Sequence, residues 1–161
     1  MPAGYWVALW LHVLAALTWL GGMLFLGLVG APVLRTLDAP QRQRLFDALG
    51  RRFRTVGWSA LALQLATGTM LLRYRGWLGA MGDPAFWRSP TGVALGWKLA
   101  VVAAMLLLSA HHDFVLGPAA GRLAAEGQSA AMLRRRAALL ARLNAALGLA
   151  LTWFAIRLPR G

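Results

Sequence analysis

The sequence predicts an all-α integral membrane protein: four transmembrane helices in an up-down-up-down bundle, with both termini outside. Three observations carry this reading. Four apolar runs, at 5–30, 56–72, 93–116 and 137–156, each approach the ~20 residues that cross a bilayer as a helix. Only 14% of the 161 residues are charged, against about 25% for an ordinary soluble domain. The charges also gather between the apolar runs instead of being dispersed as on a solvated surface.

The first run, 5–30, lacks a basic leading segment and exceeds the ~7–15 apolar residues of a secretion signal, so it reads as a true span. Between it and the second span, 41–53 reads as a short helix on the inner surface. Its stripe is Leu45, Phe46, Leu49 and Phe53, and Arg42, Arg44, Arg51 and Arg52 reach towards headgroups. Pro32 and Pro40 bracket its approach. The stretch 73–92, rich in Gly, Pro and Trp, reads as an irregular outer loop, and Pro118, Gly121 and Gly127 are expected to break the chain after the third span. No convincing internal repeat or second domain is apparent, so 1–161 reads as one four-helix domain.

The net charge of +12 follows topology. Most of the basic residues lie after the first and third spans: Arg35, Arg42, Arg44, Arg51, Arg52, Arg54, Arg122, Arg134, Arg135, Arg136 and Arg142. Arg73, Arg75, Arg88, Lys98, Arg157 and Arg160 lie at the opposite ends. Inner loops carry the Lys/Arg excess, which places both termini outside a bacterial-type inner membrane. Trp6, Trp10, Trp77, Trp87, Trp97 and Trp153 fall near the outer ends, at headgroup level. Nucleic-acid binding is disfavoured, because the charge forms no groove-sized patch. The absence of cysteine excludes disulfides, thiolate metal sites and covalent haem attachment.

Ionisable residues inside spans are costly, so each is a functional candidate. His12 lies within the first span among Ala8, Ala15, Ala16 and Trp19, and flanking alanines leave room for a flat group such as a porphyrin. The alternative is a histidine hydrogen-bonded to a neighbouring helix. Lys98, Met105 and His112 repeat every seven residues and form one stripe, whereas His111 points about 100° away. Lys98 alternatively snorkels to the outer headgroups, and Asp113 pairs with a nearby arginine.

Depth separates the ligand pairs. At ~1.5 Å per residue, His12 lies ~8 Å to the outer side of the membrane centre and His112 ~10 Å to the inner side. Met70 matches the level of His12, and Met23 comes close to that of His112. His/Met ligation of a haem iron is therefore the reading to test, with Arg54, Arg142 or Lys98 neutralising propionates.

The element His12 followed by Thr18-Trp19-Leu20-Gly21-Gly22 resembles the CopD-like membrane proteins. So do Arg51-Arg52-Phe53, Thr67-Gly68, Lys98, and His112-Asp113-Phe114 before Gly117-Pro118. A more distant resemblance is to HemJ-type protoporphyrinogen oxidases. It rests on His12, on Lys98 with His111 or His112, and on Arg142 with Asn144 at the entry to the last span. The CopD resemblance implies copper movement across the inner membrane; the HemJ resemblance implies haem b and porphyrin oxidation.

Three functions follow as expectations. The first is a haem b redox or electron-transfer protein with His12 as axial ligand and a redox partner in the membrane. The second is copper binding or transport, using His12 with methionines or the His111/His112 pair. The third is a non-catalytic assembly subunit. A ligand pair shared across a homodimer would bypass the depth argument.

Overall fold

The computed structural model describes residues 2–126 and 129–157, so Gly127 and Arg160 lie outside the described residues. The described residues form helices and no strand. Among the described residues, four helical stretches are long and apolar enough to cross a membrane: Ala3–Leu34, Ala39–Tyr74, Pro90–Leu123 and Ala131–Ala155. The chain divides into two compact units, Met1–Arg88 and Ser89–Gly161.

In the first unit, α1 (Ala3–Phe25) widens into a π-turn at Leu26–Gly30 and continues as α2 (Ala31–Leu34). The chain then returns along α3 (Ala39–Tyr74). Pro32 explains the π-turn. A proline lacks an N–H and its ring presses on the carbonyl four residues earlier, here Leu28, so the widened turn absorbs both defects. The second unit repeats this order. There α6 (Pro90–His111) widens at His112–Leu116 and continues through Pro118 as α7 (Gly117–Ala125), before α8 (Ala131–Arg157) returns. The expected break at Pro118 and Gly121 is therefore a bulge inside a continuing helix.

The segment expected as a separate surface helix, 41–53, runs without interruption into the second span. Asp38 caps α3 by accepting from the Gln41 N–H at 2.8 Å, and Pro40 occupies the first turn, where its missing donor costs nothing. Nothing between there and the span is a strong helix breaker. At about 1.5 Å per residue the helix is about 54 Å long, well beyond the ~30 Å hydrocarbon layer, so its arginine-rich first turns extend past the apolar part.

α1 and α3 pack as an antiparallel pair with spacing three and four. The α1 seam is Tyr5, Ala8, His12, Ala15, Trp19 and Gly22. The facing seam is Phe53, Gly57, Ala60, Gln64, Thr67 and Leu71. Alternation of that kind lets side chains of one helix enter the gaps of the other. Along the seam a ring repeatedly meets a glycine. Tyr74 faces Gly4, His12 faces Gly68, Trp19 faces Gly57 and Phe53 faces Gly22. At the open end Arg75 donates to the Tyr5 hydroxyl at 3.0 Å and lies 5.0 Å from the centre of the Trp77 ring. Gly76 turns the chain there at φ 72°, a conformation that suits glycine. Two short helices, α4 (Trp77–Ala80) and α5 (Pro84–Arg88), then order much of the expected irregular loop.

In the second unit α6 buries Gly92, Leu95, Met105 and Ser109, and the π-turn buries Leu116. α8 answers with Asn144 and Gly148. Outward faces carry large apolar side chains, among them Trp6, Trp10, Leu107, Leu139 and Phe154, as lipid contact requires.

The glycine seam is testable. A Cβ at Gly22 would collide with the Phe53 ring, whereas one at Gly21 meets nothing. Gly22→Ala is expected to cost about 1–3 kcal/mol, the usual range for overpacking. Gly21→Ala should leave the thermal midpoint of the detergent-solubilised protein unchanged.

Candidate functional site

His12 is half-buried on the α1 seam, and α3 supplies its partners. Nδ1 lies 3.1 Å from the Gln64 backbone oxygen and 3.0 Å from the Thr67 hydroxyl oxygen. A carbonyl only accepts, so Nδ1 carries the proton in that contact. Thr67 agrees: its hydroxyl donates to the Leu63 carbonyl at 2.6 Å and leaves its oxygen free to accept. The lone pair is then on Nε2, which faces the Gln64 side-chain amide at 3.4 Å. Gly68 completes the cradle, since a Cβ there would stand 3.3 Å from the imidazole Cε1.

This arrangement is the hydrogen-bonded alternative for His12. It also corrects the expected porphyrin space. Ala8 and Ala15 are buried against α3, so a close-packed helix fills the room their small side chains leave. The adjacent motif Thr67-Gly68 acquires a physical meaning: one residue bonds the imidazole and the other makes way for it.

The other residues singled out from the sequence are distributed over α1, α3, α6, the second π-turn and α8. Met70 is 46% exposed and Met23 half-buried; Met23 is eleven residues beyond His12 on the same continuous helix, about 16 Å along its axis. Arg54 is half-buried on α3 and Lys98 half-buried on α6, while Arg142 is exposed on α8. The stripe of Lys98, Met105 and His112 does run along the packed side of α6, and Met105 is its buried member. His112 begins the π-turn and its Nδ1 lies 2.8 Å from Oδ1 of Asp113, so one partner of the carboxylate is the neighbouring histidine. His111 is exposed and lines a small pocket with Leu116, Arg136, Leu139 and Leu140. Among the described residues, no three His, Asp or Glu side chains group as a metal site.

A second polar contact joins α6 to α8, and half of it escaped sequence reasoning. Asn144 donates to the Ser109 hydroxyl at 2.7 Å, with both residues buried. The Asn144 Oδ1 is also buried and has no hydrogen-bond partner among the described residues. Asn144 stood out as polar within a span. Ser109 is small and common, and only its position four residues after Met105 could have marked it.

A family model described as CopD, copper resistance protein D, matches residues 47–158. Gln64, Thr67, Gly68, His111 and His112 lie within that range, and His12 precedes it. An uncharacterized protein of Aquifex aeolicus (strain VF5) is 48% identical over 62 residues, which span 37% of this chain and 42% of that protein. The matched part is thus less than half the length of that relative. No solved structure matches the chain.

The Ser109–Asn144 contact should be modest in strength. Polar contacts of this kind inside membranes average about 0.6 kcal/mol, with a maximum near 1.7. A double-mutant cycle on Ser109→Ala and Asn144→Ala, read by unfolding in mixed micelles, is expected to give a coupling in that range.

Proposed function

The chain belongs to the copper resistance protein D family, and from that premise we propose that this multi-pass membrane protein binds copper as cargo, with Nε2 of His12 as one ligand. The observation that carries the reading is the anchoring of His12 Nδ1 by the Gln64 carbonyl and Thr67. Metal-binding histidines commonly donate their second ring N–H to a carbonyl or other acceptor, which fixes the tautomer and the ring direction. Imidazole suits copper as a donor. The Gln64 side-chain amide, 3.4 Å from Nε2, would swing aside as the ion arrives.

Haem b on His12 is less well supported. The family is described by copper resistance, and within the first unit the alanine face next to His12 is already covered by α3. The Lys/Arg distribution supports inner loops on the cytoplasmic side, with both termini outside. In this reading copper passes the bilayer by way of His12. The His112–Asp113 pair in the second π-turn is the next polar station to test.

Copper occupancy of the purified full chain, measured by competition with a chromophoric Cu(I) chelator, tests the proposal. His12→Ala is expected to remove one bound ion. Thr67→Val, which keeps the shape and removes the hydroxyl, should weaken binding about 10–100-fold, the usual cost of losing a partner behind a metal ligand. Undiminished occupancy in a folded His12→Ala protein would sink the assignment.

A further inference from the structure

We infer that the second unit carries a site for the phosphate headgroup of an anionic phospholipid, made by Arg136 and His111 above an apolar floor of Leu116, with Leu139 and Leu140 on its sides. These five residues line one pocket of ≈ 230 Å³, where the end of α6 and its π-turn meet the start of α8. Arg136 and His111 are exposed and Leu116 is buried, so the polar groups stand at the rim and a leucine at the base.

Charge complementarity decides the ligand. Arg136 is the last of three consecutive exposed arginines, Arg134 to Arg136, and the apolar part of α8 begins directly after it. The whole unit has two acidic residues, Asp113 and Glu126, and Asp113 is in contact with His112. The guanidinium fork binds phosphate oxygens in a bidentate manner, and a neutral imidazole always keeps one N–H to offer. A free phosphate would gain nothing from three leucines. A phospholipid uses both halves: its phosphate meets the rim and its glycerol–acyl junction meets the floor. The pocket is too small for a whole lipid, so the chains would follow the exposed Leu139 and Leu143, which are one turn apart on α8. Positively charged segments just inside a membrane attract anionic leaflets, and the pocket adds shape to that attraction.

This site is independent of copper binding at His12 and gives His111 a different task from His12. The test is native mass spectrometry of the full chain released from detergent micelles, titrated with phosphatidylglycerol, phosphatidylcholine or inorganic phosphate. One phosphatidylglycerol should be retained in preference to phosphatidylcholine. Arg136→Gln is expected to weaken retention about fivefold, the effect of one surface charge near a membrane, and His111→Ala to weaken it as well. Arg136→Lys, which keeps the charge and loses the fork, should fall between Arg136→Gln and the unaltered protein, and Leu139→Ser should weaken the lipid alone. Arg135→Gln, next in the chain but outside the pocket, should weaken retention clearly less than Arg136→Gln. Equal retention of the two lipids, equal losses in Arg135→Gln and Arg136→Gln, or inorganic phosphate binding as tightly as the lipid would each overturn the proposal.

Discussion

An imidazole in the hydrocarbon layer has no water to bond, so the protein must serve both nitrogens of His12. The α3 helix serves both: a carbonyl and a hydroxyl at Nδ1, and a side-chain amide at Nε2. That demand sets much of the first unit. The helices must approach closely enough for a 3.0 Å contact, which requires glycine or alanine wherever a ring crosses the seam. The exchange of ring for glycine at Gly4, Gly22, Gly57 and Gly68 keeps the two axes close along the whole pair. Dispersion and a few polar contacts then do what the hydrophobic effect does in water, because lipid tails are as apolar as leucine.

The second unit meets the same constraint with a different residue set. Ser109 and Asn144 take the place of the histidine cradle, and Met105 and Leu95 take the place of the aromatic rings. Both units share a proline-relieving π-turn within the first of their two long helical stretches. In the second unit that turn contains His112 and Asp113, so the widened backbone coincides with a polar pair at the end of α6. Widened turns of this sort often sit at functional positions, since they redirect side chains without ending the helix.

The same bonds bear on the choice between copper and haem. A histidine anchored through Nδ1 has a defined lone pair, which any metal can use. A porphyrin also requires a broad, empty face beside the ring. The helix that anchors His12 covers Ala8 and Ala15, the small residues on that face. A single ion asks for far less space, and copper agrees with the family to which the chain belongs.

Fold class was legible in the sequence because the bilayer imposes a simple rule. About twenty apolar residues must be helical, and charges must collect at the ends. His12, His112 and Asn144 were legible for the related reason that polar groups are rare in such runs. Partners were not. Ser109 and the Gln64 carbonyl look ordinary in sequence, Thr67 stands out only as part of a short motif, and the importance of all three arises from lying opposite a particular residue on another helix. Helix continuity was also undecided, since a proline predicts a break unless a π-turn relieves it. Composition alone determined what the chain must bury in lipid. Tertiary structure decided which groups meet, because interhelical register depends on packing between residues far apart in the sequence.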